Sequence, residues 1–487
     1  MVESAVMSEH ERAPKRPIYL VGESFGASLA LIVAAQNPDI DLVLILANPA
    51  TSFSKSLLQN VGPLSDMIHK HLLAGLPHAM SLTPVETILW KLKMIHEMQN
   101  YLDSHLHAVK AQTLILNSGK DLLLSSITGG EKLRSMLQRC EVRLFIGNDD
   151  PLFLDETFDL VAAIKFTNYY RRGASYDYVS DFLPPTPSEL QALYEPLRWM
   201  DVAFNPVILS TMDDGKIVRG LAGIPSEGPV LLVGNHMMIA LESFLLLPRF
   251  LIDQNIMVRV TAHPFFFQRL MDGKLPGLSV FDMLRAVGGL PVSAKDLYRL
   301  FSLKSHVILF PGGAREALHR KGEEHKLIWP AEPEFVRMAA RFGATIIPFA
   351  GVGEDDVLEL LLDFDDQMKI PALKDFIEGL NNETVRLRGD VEGEVGNQSL
   401  YTPMILPKIP GRVYFLFGKP ISTKGREDIL RNKDKAHEMY LEVQNEIEKC
   451  IAFLKEKREK DPYRNLLARL VYQCYNGCLS QVPTFDI

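Results

Sequence analysis

The sequence predicts an α/β protein of two domains. A chain of 487 residues is too long for one ordinary core. Short apolar runs alternate with helical stretches, and the alternation breaks off and later restarts. Between the two series lies "RRGASYDYVSDFLPPTPSELQAL", rich in Pro, Ser and Asp. With 47% hydrophobic and 23% charged residues, the chain can fill large cores.

In the first series, Ile18–Val21 reads as a strand and Ala27–Ala35 as a helix. Asp41–Asn48, "DLVLILAN", is a continuous apolar run, the mark of a strand buried on both faces. From Pro49 to about His107 the chain reads as mainly helical, with breaks at Pro63, Pro77 and Pro84. Strands at Gln112–Asp121 and Glu141–Gly147 complete part of a parallel sheet with helical crossovers. Thr186-Pro187-Ser188-Glu189 then spells a capping box with Pro at the first helical position.

The second series opens with a strand at Pro229–His236 that ends in a turn. His306–Leu318 reads as strand, glycine turn and helix start. A helix stopped by Gly343 leads into the strand "ATIIPF" and the loop "AGVGEDD". Arg412–Ile421 is a late strand. From Glu427 to about Lys460 a charged helix carries Leu430, Met439, Val443, Ile447, Ile451 and Leu454 at helical spacing.

Bulk properties exclude some functions. A formal net charge of −8 argues against a nucleic-acid binder. The 4 cysteines, Cys140, Cys450, Cys474 and Cys478, suit neither a disulfide framework nor a zinc site, and no metal is expected. No apolar run reaches the roughly 18 residues of a membrane span. "MVESAVMSEHERAPKRP" reads as neither a signal nor a transit peptide.

"YLVGESFGASLA" (Tyr19–Ala30) is a strand, a Gly-x-Ser-x-Gly turn and a helix start. That is the order of an α/β-hydrolase nucleophile elbow, with Ser24 at its apex. Asp121 follows a strand where the triad acid of such a fold would stand. The base should follow Glu141–Gly147, but "NDDPLFLDE" holds no histidine, and Asp150 cannot do imidazole's work at neutral pH. His69, His71, His78, His96, His105 and His107 in the helical stretch read as surface or core residues. Only twenty-three residues precede Ser24, so the early strands are also wanting. The expectation is a relic elbow.

Two other motifs fit together. In "VGNHMMIALE", His236 ends a strand and Glu242 follows six residues later, giving a base and a carboxylate to orient it. In "FPGGAREA", Gly312 and Gly313 permit a tight turn that aims N–H groups at an anion, and Arg315 adds a forked cation. Glu316 would pair with Arg315 or hold a neighbouring helix.

On these motifs residues 229–421 resemble the lysophospholipid/diacylglycerol acyltransferase superfamily, in which a His-x4-Asp motif supplies the base. Both halves together resemble the plant esterase/lipase/thioesterase-family acyltransferases, from Ile18 to about Leu454. The resemblance rests on "GESFGASLAL", "VGNHMMIALE", "FPGGAREALHRKGEEHKLIWP" and "IIPFAGVGEDD". This chain departs from the pattern in having Glu242, at a longer spacing, as its acid.

The expected organisation follows from the two readings. Residues 1–166 are a shortened α/β-hydrolase-like domain with a lid at about 50–108. Residues 167–186 are a linker, 187–460 the acyltransferase domain, and 461–487 a tail. The resemblance implies acyl transfer from acyl-CoA, acyl carrier protein or a lipid donor to phytol or diacylglycerol, without a cofactor. His236 and Glu242 would be catalytic; Gly312, Gly313, Arg315 and Glu316 would bind donor or acceptor. It also implies a peripheral place on a lipid droplet or membrane, in the plastoglobules of the chloroplast. The alternatives are a serine lipase using Ser24, with Asp121, and an inactive lipid-surface protein. "ESFLLLPRFLI" and "HPFFFQ" (His263–Gln268) suit an acyl channel, a membrane contact or plain core.

Overall fold

The computed structural model describes residues 1–50, 85–119, 126–148, 151–167, 169–267, 275–276, 280–384, 399–477 and 480–487. They form two compact units, 1–183 with 270–283, and 184–269 with 284–487. Asp121 and Asp150 lie outside the described residues, as do His69, His71, His78 and positions 51–84 of the expected lid.

The first unit is a parallel sheet of β1 (Ile18–Glu23), β2 (Leu42–Ala47), β3 (Gln112–Ser118), β4 (Cys140–Phe145) and the two-residue β9 (Leu275–Pro276), in that order. All six residues of β2 are buried, as its unbroken apolar run requires. The helix Phe25–Gln36 packs on β1 and β2 through its own nearly continuous apolar surface. Of the expected lid, Val85–His105 is a helix.

Two boundaries differ from the sequence reading. The segment from residue 167 is not a tether. Tyr19 Oη donates to Tyr169 O at 2.9 Å, and Arg171 N donates to Tyr19 Oη at 2.7 Å. The buried Arg171 forks onto Asp41 at 2.7 and 2.5 Å. These bonds hold residues 167–183 to the first unit. Residues 270–283, expected in the second domain, also belong to the first. β9 extends its sheet, and buried Asp282 receives a fork from buried Arg143 at 2.5 and 2.9 Å.

The second unit opens with the expected capping box: Glu189 N donates to Thr186 Oγ1 and Thr186 N to Glu189 Oε2, starting the helix Pro187–Tyr194. Its main sheet runs β10 (Leu290–Pro291), β8 (Val258–Ala262), β11 (His306–Leu309), β7 (Val230–Gly234), β12 (Thr345–Val352), β15 (Tyr414–Phe417), β5 (Val207–Thr211) and β6 (Ile217–Arg219). β16 (Ile421–Ser422) pairs with β12, and β13 (Leu358–Leu362) pairs with β14 (Met404–Pro407) in a separate ribbon. β7 lies between β11 and β12, parallel to both, with all five residues buried. Gly343 closes the preceding helix at φ 61°. The helix Lys433–Glu459 buries Met439, Val443, Ile447, Ile451 and Leu454 of the predicted face, whereas Leu430, expected on it, ends a separate short 3-10 turn, Glu427–Leu430, and is half-buried.

Residues 461–487, expected as a tail, are docked. The helix Leu466–Asn476 is anchored by Arg469, which donates to Ala203 O at 2.6 Å and Pro410 O at 3.2 Å. Val482 and Phe485 are buried.

Candidate active site

The carboxyl ends of three adjacent parallel strands, β11, β7 and β12, meet in the second unit. Crevices at such strand ends are where open α/β sheets place ligands. Two glycines allow the crowding. A Cβ on Gly234 would come within 2.5 Å of the Phe349 ring, and one on Gly351 within 2.8 Å of Met237 Sδ. Asn235 ties the ends of β7 and β12 together. Its Oδ1 accepts from Gly351 N at 2.8 Å, and its Nδ2 donates to Gly351 O at 3.0 Å.

His236 follows Asn235. Its Nδ1 lies 2.6 Å from Glu242 Oε1, and Glu242 is fully buried. A carboxylate at that distance favours the proton on Nδ1, which leaves Nε2 as the nitrogen able to accept a proton. The imidazole stacks on Phe310, with centroids 4.0 Å apart and planes 7° from parallel, and its side chain stays 14% exposed. Phe310 belongs to the same buried apolar cluster as Met237, Leu241 and Phe349, which keeps bulk water from that side of the pair.

The spacing of six is absorbed by an unusual backbone. Ile239 and Ala240 both adopt left-handed conformations, at φ 51° and 61°. A β-branched residue there is an outlier, and each such residue costs about 1–3 kcal/mol. The bend returns the chain to the helix Leu241–Gln254, whose first turn presents Glu242 to His236.

Three buried glutamates from three segments hold this strained loop. Glu316 Oε2 accepts from His236 N at 3.1 Å, Glu242 Oε2 from Met237 N at 3.1 Å, and Glu354 Oε2 from Met238 N. Three successive backbone donors thus each meet a different carboxyl. Burial pushes the Glu316 and Glu354 carboxyls up to about 8, which favours their neutral forms. Neutral side chains can pack close to Glu242 where further carboxylates would repel it.

The "FPGGAREA" turn does other work than expected. Gly313 N donates to Phe310 O at 3.0 Å, so this N–H closes the turn and is not aimed at an anion. The helix that follows, Gly313–Ala317, is a single short turn. A Cβ on Gly312 would meet Glu316 Oε2 at 2.5 Å, so this glycine makes room for the carboxyl under His236. Arg315 is buried, and its fork faces Glu323, with both bonds at 2.8 Å. An arginine committed to an internal carboxylate is not a waiting anion clamp. Arg315 pairs with Glu323 and not with Glu316, whose carboxyl also accepts from Ile328 N at 3.2 Å. The flank "ESFLLLPRFLI" is largely core: Leu245, Leu246, Leu247 and Phe250 are buried.

Ser24, in the first unit, sits at φ 52°, ψ −112° between β1 and the helix Phe25–Gln36, the strained geometry of an elbow. A Cβ on Gly22 would strike Gly26 backbone at 2.6 Å, so the turn needs a glycine there. No histidine among the described residues hydrogen-bonds to the Ser24 hydroxyl.

Comparison with known proteins identifies the chain. Phytyl ester synthase 1, chloroplastic, from Arabidopsis thaliana is 45% identical over 533 aligned residues, which cover 100% of this chain and 75% of that protein. The chain belongs to the phytyl ester synthase family. Phytyl ester synthase 2, chloroplastic, from the same plant is 43% identical, over 100% of this chain and 76% of its own. The diacylglycerol acyltransferase family matches residues 279–450, a stretch that includes the Gly312-Gly313 turn, Glu316 and Glu354. Human 2-acylglycerol O-acyltransferase 3 is 34% identical over 107 residues, 19% of this chain and 31% of that one. Among solved structures, the Paleococcus ferrophilus monoacylglycerol lipase aligns at 16% identity over 32% of this chain and 68% of its own, with a TM-score of 0.23, too loose a likeness to argue from. A phytyl ester synthase relative with a diacylglycerol acyltransferase region is an O-acyltransferase, and its chemistry is the formation of phytyl esters or acylglycerols.

Proposed function

We propose that this chain transfers a fatty acyl group to phytol or diacylglycerol, with His236 as general base and Glu242 as the residue that orients it. The donor is an acyl thioester, acyl-CoA or acyl carrier protein, or an acyl lipid; no cofactor takes part. The observation that carries the reading is the 2.6 Å contact between His236 Nδ1 and buried Glu242 at the end of β7. With Nδ1–H held by the carboxylate, Nε2 takes the acceptor's hydroxyl proton as its oxygen attacks the acyl carbonyl. Glu242 stabilises the imidazolium that forms. The new C–O bond replaces the C–S bond of a thioester donor, or the ester C–O bond of an acyl lipid, and the departing thiolate or alkoxide recovers the proton from His236. In this reading Arg315 has a structural part, and Ser24 has none in the reaction.

The names of the relatives support a chloroplast location, and a plastoglobule surface is the place proposed within it because it suits such apolar substrates. No helix among the described residues is long and apolar enough to cross a membrane.

The test is ester formation by purified chain supplied with an acyl thioester and either phytol or diacylglycerol. Wild type and Ser24→Ala are expected to form the ester at rates within threefold of each other, and His236→Ala to form almost none. A loss beyond about tenfold in Ser24→Ala, roughly 1.4 kcal/mol of barrier, would restore the serine reading.

A further inference from the structure

Glu354 stands in the loop after β12, and two arginines near the end of the chain grip that loop. Arg458 forks onto Asp355 at 2.6 and 2.7 Å. Arg464 forks onto Asp356 at 2.6 and 2.8 Å. Bidentate arginine–carboxylate pairs fix orientation as well as distance. A Cβ on Gly353, at φ 121°, would approach Arg412 O to 2.5 Å, so the loop also lies hard against the backbone before β15. Gly411 N donates to Asp356 O at 3.0 Å, and Arg412 N to Arg464 O at 2.9 Å. The three acids of "GEDD" thus divide their work: Asp355 and Asp356 face the arginines, and Glu354 turns inward to Met238 N.

We infer that Arg458 and Arg464 are positioning residues for catalysis, acting through Asp355, Asp356 and Glu354 on the strained loop that carries His236. The inference rests on His236 being the base. The physical need is the left-handed pair Ile239-Ala240, because a loop that stores strain keeps its shape only where its surroundings over-determine it. Glu354 supplies the last of the three acceptors before that pair, and the arginine grip sets where its carboxyl sits. Both arginines lie beyond the matched acyltransferase region, which ends at residue 450. The end of the chain therefore takes part in shaping the site.

The test is steady-state kinetics of the full chain with a soluble acyl thioester, each variant assayed well below its own unfolding temperature. Glu354→Ala is expected to lower kcat about a hundredfold, the scale set by a misplacement near 1 Å, with donor KM within threefold of wild type. Glu354→Gln keeps a carbonyl for Met238 N and is expected to recover most of that loss. Arg464→Gln, at a partly exposed side chain, is the variant to rely on should Glu354→Ala not fold. It is expected to lower kcat about tenfold with KM unmoved. Combined with Glu354→Ala it should add little, because both act along one path. Unchanged kcat in Arg464→Gln, a KM rise equal to the kcat loss, or fully additive losses would each overturn the inference. His236→Ala measured alongside separates the two failures. If it is inactive while Arg464→Gln is normal, only the positioning role falls; if it keeps wild-type turnover, both fall.

Discussion

Glu242→Gln is expected to lower kcat by about 10²–10⁴-fold, although the side chain keeps its shape. The carboxylate serves two donors at once, taking His236 Nδ1–H on Oε1 and Met237 N–H on Oε2. An amide has one carbonyl oxygen and can serve only one. If it serves Met237, its NH2 faces Nδ1 and drives the imidazole proton to Nε2, the nitrogen that must be empty to act as base. If it serves His236, the Met237 amide loses its acceptor inside the core, which costs about 1–3 kcal/mol in a loop already strained. The same change behind the histidine of a serine protease costs about 10⁴ by tautomer alone. Steady-state kinetics checks it: the loss should fall in kcat, with donor KM little changed. A variant within threefold of wild type in kcat would remove Glu242 from the mechanism.

Arg412→Met is expected to destabilise the second unit by about 3–5 kcal/mol, the usual cost of removing one partner from a buried ion pair. The Arg412 and Asp461 side chains are 1% and 0% exposed and lie 3.0 Å apart. Arg412 also donates to Asn205 Oδ1, Val482 O and Pro483 O, so one guanidinium joins the start of β5, the helix end at Asp461 and the last residues of the chain. The methionine would leave Asp461 buried with Tyr414 and Thr484 as its remaining side-chain partners. Urea unfolding read against wild type is the measurement. A midpoint shift worth under 1 kcal/mol would show that the pair contributes little.

The legible parts of the fold share one property: their cause is local. "DLVLILAN" is apolar throughout because both faces of β2 are covered, and Thr186 and Glu189 cap a helix by bonding to each other. Gly343 stops a helix because only its backbone tolerates φ 61° easily. The strand–turn–helix at Ser24 and the strand-end His236 were legible for the same reason. The misread parts depend on distant partners. β8, "VRVTA", carries a buried Arg259 whose Nε finds Gly288 O at 2.8 Å, so its pattern does not look like a core strand. Residues 167–183 and 461–487 look like polar connectors because arginines and carboxylates dock them, pairing across more than forty residues of sequence. Arg315 looked like an anion site because nothing in "GGAREA" reveals that Glu323, eight residues on, fills its fork. Glu354 was hidden in plain view. In "GEDD" it is one acid of three, and only the fold separates the buried one from the two that meet arginines. Asn235, adjacent to the histidine in "GNH", had a signal in its position but none for its partner, Gly351.

The central claim is that His236 moves the proton in an acyl transfer that does not use Ser24. The most direct measurement is kcat and donor KM for His236→Ala with a soluble acyl thioester and an alcohol acceptor, the folded state of the variant verified. The result expected is a fall in kcat of about 10²–10⁴-fold with donor KM within threefold, because the base acts on the proton in flight and not on donor binding. A His236→Ala variant that turned over at the wild-type kcat would contradict the account.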